Sequence, residues 1–301
     1  MSRQRIGPAE EAFSFLGDGL RLAILQALAE RETDAGPRER TIAYSDLRRA
    51  VGERDSGKFN FHLRKLTGRF VTRTDDGYRL REPGREAVRL LERGVVDAEA
   101  NFESTDVDES CPLCGAGIRV VYDDHHILTT CDTCAGLFGM DGCPSGTITG
   151  AVLPPATVDG RDPESLFYRA HRVLERRLHD MVDGVCLECG GDVVANLRYC
   201  DDHESSAERT CTACNTSYPA LAELVCETCG RGRVTHPLFG NPDVGDDVCP
   251  PPVRDGDLTA WDRFYAALSW SVNPSERGEL AFQHPDHGRR LVVDSELNLV
   301  G

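Results

Sequence analysis

The 301-residue sequence predicts a multidomain α+β chain: a helical N-terminal domain, small cysteine-rich modules, an intervening helix, and a C-terminal helix with a β-meander. Three observations predict this. A single hydrophobic core rarely fills more than ~250 residues, so the length implies several domains. Charge divides the chain, with 19 basic and 15 acidic side chains in residues 1–94 but 15 and 35 in residues 95–301. A segment of +4 thus precedes one of −20, within a formal net charge of −16. All 13 cysteines lie beyond residue 110, and most are paired two residues apart.

The N-terminal elements follow from periodicity and punctuation. Pro8 suits a first helical position, with Ala12, Phe13 and Leu16 on one apolar face. Gly17-Asp18-Gly19 breaks that run, and Leu20, Ile24, Leu25 and Leu28 form a second face. Residues 32–40 read as a polar loop. Ser45 caps a short helix, SDLRRAVG, that stops at Gly52. Asp55 or Ser56 caps the next, which runs to about residue 69 with Phe59, Leu63, Leu66 and Phe70 inward. In VTRTDDGYRL, Asp76-Gly77 signals a β-hairpin. A last helix starts after Pro83 and runs to about residue 100. Helices, a recognition-type helix, a hairpin and a closing helix make residues 1–100 a winged helix-turn-helix.

The segments RLAILQAL (21–28), YSDLRRAV (44–51), SGKFNFHLRKL (56–66) and DDGYRL (75–80) carry a family resemblance. Over about 90 residues the chain resembles the haloarchaeal branch of the ArsR-like winged helix-turn-helix regulators. The resemblance implies transcription regulation by binding double-stranded DNA, and a homodimer formed through the first and last helices. The apolar run Val88, Leu90, Leu91, Val95 and Val96 is compatible with that dimer and equally with intradomain core. The helix before the reading helix often carries a metal-sensing cysteine pair in that family. Here it is SDLRRAVG and has no cysteine.

Charge supports the DNA reading. Between Arg40 and Arg73 stand nine basic residues and three acidic ones, a local +6. With Phe59, Leu63 and Leu66 inward, Lys58, Asn60, Phe61, Arg64 and Lys65 face outward. Ser56, Lys58 and Asn60 suit base edges or phosphates, Phe61 a thymine methyl, and Arg64 a guanine or a phosphate. Arg48 and Arg49 extend the basic surface, and Arg73 and Arg79 of the hairpin suit the backbone or minor groove. The competing reading is a solvated basic helix in a protein-binding fold. Lys58 and Lys65 are the chain's two lysines; acid excess with so few lysines suggests a halophilic archaeal cytoplasm.

The cysteines have metal-ligand spacing. CPLC at 111–114 and CDTC at 131–134 flank β-prone residues around Asp123-Asp124-His125-His126, the pattern of a zinc ribbon over residues 111–153. Cys111, Cys114, Cys131 and Cys134 are expected to share one ion. Residues 184–235 hold eight further candidate ligands: Cys186, Cys189, Cys200, His203, Cys211, Cys214, Cys226 and Cys229, with His203 alternatively capping a turn. Sequential pairing joins 186/189 with 200/203 and 211/214 with 226/229; interleaved pairing joins 186/189 with 211/214 and 200/203 with 226/229. Short loop closures favour the sequential set, and the interleaved set stays open. About three structural Zn2+ per chain follow, with no open coordination position for catalysis. Cys143 and Cys249 are left to pack or stay free; a redox dithiol, the rival reading of the 111–134 set, would show one Cys-x-x-Cys at a helix start rather than two matched pairs.

Between these modules, 95–110 reads as a helix end and acidic linker, 143–162 as loop, and 240–256 as loop. Asp162 caps and Pro163 opens a connecting amphipathic helix over 162–183, buried along Leu166, Phe167, Ala170, Val173, Leu174, Leu178 and Met181. In 257–301, Leu258, Trp261, Phe264, Tyr265 and Leu268 suggest a helix, and 278–300 a β-meander. His125-His126, His171 and His179 read as solvated, and His284 and His287 as a strand-joining loop.

No apolar run reaches the ~18 residues of a membrane span, and MSRQRIGPAEE has no signal-peptide core, so a soluble cytoplasmic protein is expected. Without a Gly-rich phosphate loop, a nucleophile elbow or HExxH, no enzyme is expected. The expectation is a sequence-specific DNA-binding regulator whose zinc modules serve structure, dimerisation, or partner or signal input. The alternative is a zinc-ribbon adaptor for RNA or a protein complex.

Overall fold

The computed structural model describes residues 14–35, 41–96, 99–100, 102–139, 142–244, 259–275, 278–286 and 288–300. The expected first helical face at Ala12 and Phe13, with Pro8, lies outside these residues, as do Arg40, Cys249, Leu258, His287 and the loop beyond Val244. The chain forms two compact units, Met1–Glu99 and Ala100–Gly301, and is of mixed α+β construction. No described helix is long and apolar enough to cross a membrane.

The first unit contains α1 (Gly19–Ala35), α2 (Tyr44–Val51), α3 (Ser56–Leu66), β1 (Val71–Thr74), β2 (Gly77–Leu80) and α4 (Glu82–Glu92). Helix α1 continues through Glu32 and Thr33, into the expected polar loop. Helix α2 starts at Tyr44, so Ser45 is its second residue; Ala43 stands at the N-cap and makes no side-chain cap bond. Gly52, in the left-handed region at φ 72°, ends α2. The Asp55 carboxylate caps α3, accepting from the backbone N–H of Gly57 at 2.8 Å and of Lys58 at 3.1 Å. Helix α3 stops at Leu66, three residues short of expectation, yet Phe70 still joins the core with Ile24, Leu28, Leu47, Phe59 and Leu63.

The two-residue hairpin turn is Asp75-Asp76, because Gly77 pairs with Thr74 as the first residue of β2. Gly77 answers a different demand. At φ 148°, a Cβ there would sit 2.1 Å from the Ile42 carbonyl oxygen, and Ile42 exchanges two 2.9 Å backbone bonds with Tyr78. Helix α4 ends at Glu92, well short of residue 100, where the Gly94 N–H closes onto the Leu91 carbonyl. A bidentate pair from Arg85 to Glu32, 2.8 and 2.9 Å, ties α4 to α1.

The second unit is richer in strands than the sequence suggests. Its first sheet has the order β3-β4-β5-β6: β3 (Thr105–Ser110), β4 (Gly117–Asp123), β5 (His126–Thr130) and β6 (Thr147–Val152). Strand β3 occupies the expected linker, with Val107 buried, and β6 occupies the expected loop. In β6, TITGAV is β-branched enough to pair with β5 despite the glycines and prolines around it. A short helix α5 (Pro155–Val158) leads to α6 (Pro163–Val182), capped by Asp162 accepting from Ser165 N–H at 2.8 Å. A second antiparallel sheet, β7 (Val193–Tyr199), β8 (Ala220–Cys226) and β9 (Gly232–Thr235), follows. Helix α7 (Ala260–Leu268) and a third sheet, β10 (Ser271–Pro274), β11 (Leu280–Gln283) and β12 (Arg290–Val293), close the chain; the meander thus begins before residue 278.

One apolar cluster runs from Val107 to Leu297, so residues 111–153, 162–183, 184–235 and 257–301 share a core. Trp261 of α7 packs edge-on to Phe167 of α6 at 5.1 Å, and the Tyr218 hydroxyl donates to the Trp270 carbonyl at 2.7 Å. His171, expected in solvent, is buried. It faces Thr149 Oγ1 and the Phe167 carbonyl, both at 2.9 Å, and burial lowers its pKa to about 4. His284 is also buried, with its ring edge-on to Trp270 at 5.1 Å. Glu175 sinks into the core beneath a bidentate pair from Arg263.

Candidate metal centres and nucleic-acid interface

Two hairpins position the metal ligands. In the first, β4 and β5 pair from Arg119↔Thr130 to Asp123↔His126 and turn at Asp124-His125, both at positive φ. Cys111-x-x-Cys114 precedes β4 and Cys131-x-x-Cys134 follows β5, so the strands bring the knuckles together at the open end of the hairpin. Cys111 Sγ lies 3.6 Å from Cys134 Sγ, and Cys114 Sγ lies 3.6 Å from Cys131 Sγ. A disulfide needs ~2.05 Å. A tetrahedral ion with metal–sulfur bonds near ~2.3 Å needs sulfurs about 3.8 Å apart. The spacing fits the ion.

The second hairpin corrects both expected pairings. Cys186 Sγ stands 3.8 Å from Cys229 Sγ and Cys189 Sγ 3.5 Å from Cys226 Sγ, so 186/189 joins 226/229. Cys200, His203, Cys211 and Cys214 form the third group, nested inside the second. Strand pairing outweighs short loop closure here. Seven residues of β7 in extended conformation carry the chain about 20 Å from the first knuckle, out of Cys200's reach. Strand β8 returns by the same length, in register from Tyr199↔Ala220 to Val193↔Cys226. In all three groups the four ligand atoms lie within 4.8 Å of one another.

The knuckles repeat one backbone device. The N–H of Gly115, Gly190, Asn215 and Gly230 bonds the carbonyl of the cysteine four residues earlier, at 2.7–3.0 Å. Each of these residues is left-handed, with φ 57–75°. The residue after the second cysteine is therefore Gly or Asn in four of the five Cys-x-x-Cys units, a signal present in the sequence and passed over. The exception is the 131–134 knuckle, whose left-handed Gly136 comes one residue later.

The electrostatics of each group call for a cation. The Glu204 N–H brings Cys211 down to about 7, and the Cys229 N–H brings Cys226 down to about 7. Burial and the neighbouring Cys214 and Cys211 sulfurs push Cys200 up to about 12. At Cys189 the Gly191 N–H favours the thiolate, but burial and three nearby sulfurs prevail, up to about 12. Burial raises Cys134 to about 11 and also raises Cys111, while the backbone N–H groups of Thr133 and Cys134 overcome burial to lower Cys131. Each group thus pairs a thiol whose pKa is lowered with one whose pKa is raised; a bound cation favours both thiolates. His203 directs Nδ1 at Cys214 Sγ, 3.4 Å, and Nε2 at the Ser205 hydroxyl, 3.1 Å. Ser205, not anticipated, is thus placed to orient the imidazole.

Cys143 is half-buried and belongs to none of the three groups. His125 and His126, at the hairpin tip, are partly exposed; the Tyr122 hydroxyl lies 3.4 Å from His125 Nδ1.

In the first unit, α3 has two chemically opposite faces. Phe59, Leu63 and Leu66 are buried, while Ser56, Lys58, Asn60, Phe61, Arg64 and Lys65 are exposed. Phe61 is 58% exposed, and the Lys65 ammonium lies 5.7 Å from its ring centroid. Two basic side chains are already paired: Lys58 Nζ with Glu53 at 3.0 Å, and Arg49 with Asp46 at 2.8 Å. Arg48 is half-buried on α2, and Arg73 and Arg79 are exposed on β1 and β2.

Residues 9–91 match a family described as a domain of unknown function (DUF7347), and residues 108–244 match a second with the same description (DUF7351). The first match falls inside the first unit; the second spans all three ligand groups. Neither the curated proteins nor the solved structures give a match.

Proposed function

We propose that the chain is a sequence-specific transcriptional regulator whose first unit is a winged helix-turn-helix that reads double-stranded DNA. In this reading the three ligand groups of the second unit hold zinc. The observation that carries it is the exposed face of α3, where a large aromatic, Asn60 and two cations with no ion pair among the described residues, Arg64 and Lys65, stand over a buried apolar stripe. That is the inventory base reading requires, and the hairpin β1–β2 supplies Arg73 and Arg79 for the flanking backbone. The zinc-held unit serves as scaffold and as the place for a partner or signal. Zinc fits eleven thiol donors and one imidazole in tetrahedral groups.

Fluorescence anisotropy with the gene's own promoter fragment tests this across the working salt range. Specific binding is expected, and Arg64→Ala should weaken it by ~1–3 kcal/mol while the melting temperature holds. Equal affinity for unrelated DNA removes the reading. A second reading, an adaptor for a protein complex, draws on exposed apolar side chains around the second ribbon: Val185, Leu187, Val194 and Val225. Loss of partner capture on Leu187→Ser, with DNA binding absent, would favour it.

A further inference from the structure

Helix α6 carries a basic face inside an acidic unit. Residues 95–301 have a net charge of −20, yet Arg169, Arg172, Arg176 and Arg177 all lie on this one helix. Most nearby ionic groups are committed. Glu175 is held by Arg263, Glu188 lies 3.9 Å from Arg177 and 3.8 Å from Arg231, and Glu109 accepts from the Tyr168 hydroxyl at 2.6 Å. Arg169, Arg172 and Arg176 have no ion-pair or hydrogen-bond partner among the described residues, and all three are exposed. Their spacing of three and four residues places them on one side of the helix.

Two concavities flank that row. One, of about 530 Å³, lies between α6 and the start of α7; the other, of about 580 Å³, extends toward Leu187. Tyr168, Arg172 and Arg176 border both. Each volume falls in the range of small-molecule sites.

We propose that this groove binds a phosphoryl group, free or as a small phosphate ester, clamped between the guanidinium groups of Arg172 and Arg176. The two Cα atoms are about 6 Å apart along the helix axis, one turn, so both forks can reach one group. Guanidinium donors match phosphate oxygens bidentately, and two uncommitted positive charges balance a phosphate dianion. Arg169 adds long-range attraction, and the Tyr168 ring and Leu187 offer a wall for an organic substituent. Size and surroundings select a small anion over a nucleic-acid strand. The row spans only about 10 Å, and the net negative unit around it repels an extended polyanion.

The full-length, metal-loaded chain is titrated by calorimetry with inorganic phosphate and with phenyl phosphate, against chloride at matched ionic strength. Binding of either phosphate above the chloride control is expected. Tighter phenyl phosphate assigns an ester, and equal affinity assigns free phosphate. Arg172→Gln with Arg176→Gln should weaken binding by about tenfold or more while leaving metal content and melting temperature unchanged. Should that variant fold poorly, Arg172→Lys with Arg176→Lys, which keeps charge without the fork, should bind measurably but more weakly than wild type. No binding beyond chloride, undiminished binding by the glutamine variant, or binding of an oligonucleotide but of neither phosphate overturns the proposal.

Discussion

The β4–β5 and β7–β8 ribbons share a plan and differ at the tip. Each places a knuckle before its first strand and another after its second, and each gathers four sulfurs at the open end. The first hairpin closes in two residues, Asp124 and His125. The second carries a further ligand group, Cys200 to Cys214, in its connection. Ligand partnership is therefore decided by which cysteines flank paired strands, and the hairpin tip is where an additional ion site can be inserted. The inserted group also docks on the first ribbon. Gly139 N–H donates to the Asn215 carbonyl at 2.8 Å, and Ser217 N–H to the Leu137 carbonyl at 3.0 Å.

Removing the metal should give the largest effect. A structural zinc contributes on the order of 10 kcal/mol where one is bound, and all three groups able to hold a metal lie in the second unit. Excess chelator is expected to unfold that unit while helices α1 to α4 stay folded, as read by proteolysis of residues 100–301 against 14–92. Simultaneous loss of both units would break the division. Next, Cys189→Ser should cost more than Cys214→Ser, though each removes one ion. The outer group closes 43 residues of sequence separation and the inserted group only 14, a difference of about 1 kcal/mol in loop entropy. The opposite ranking would mean that docking on the first ribbon outweighs loop length.

A more local contrast lies between two glycines at φ 75°. Gly115→Ala meets open space and should cost about 1 kcal/mol, whereas a Cβ on Gly136 sits 2.3 Å from the Gly146 backbone. Gly136→Ala should therefore cost roughly 2 kcal/mol more, measured by denaturant titration; equal costs would show that the 131–134 knuckle can shift. Last comes pH. His171 lies against β6, and His236 follows β9 with its Nε2 unpartnered. Burial lowers them to about 4 and about 3. Both stay neutral in the folded state while the unfolded chain takes up protons below ~6.5, so their contribution is complete above that pH and lost as pH falls toward 4 and 3. His236→Leu should flatten the stability slope between pH 6 and 4 by up to about 1.4 kcal/mol per unit; an unchanged slope would assign the acid sensitivity elsewhere.

The two faces of α3 could be read from spacing because Phe59, Leu63 and Leu66 repeat on a single helical period. The first ribbon was equally readable, since β-prone residues lie directly between matched knuckles. The nested groups were not. Weighing loop length alone ignored VVANLRY and ALAELVC, whose alternation announces two strands whose pairing brings 186/189 to 226/229. Strand β3 escaped because TDVDES offers a single apolar residue, Val107. The α6 groove could not be found from spacing, since its free arginines are defined by which acids already have partners.

The inserted group also bears on the order of events during folding. Its four ligands lie within fifteen consecutive residues, Cys200 to Cys214, so an ion can organise that stretch by local search alone. Once closed, it holds Tyr199 and Ala220 at the tip of the hairpin, and pairing can then advance residue by residue toward Val193 and Cys226. The outer ion is left to lock a register already established. Stopped-flow titration with a thiol-sensitive metal, in a Cys114→Ser background that silences the first ribbon, is expected to show two phases, the faster one abolished by Cys214→Ser.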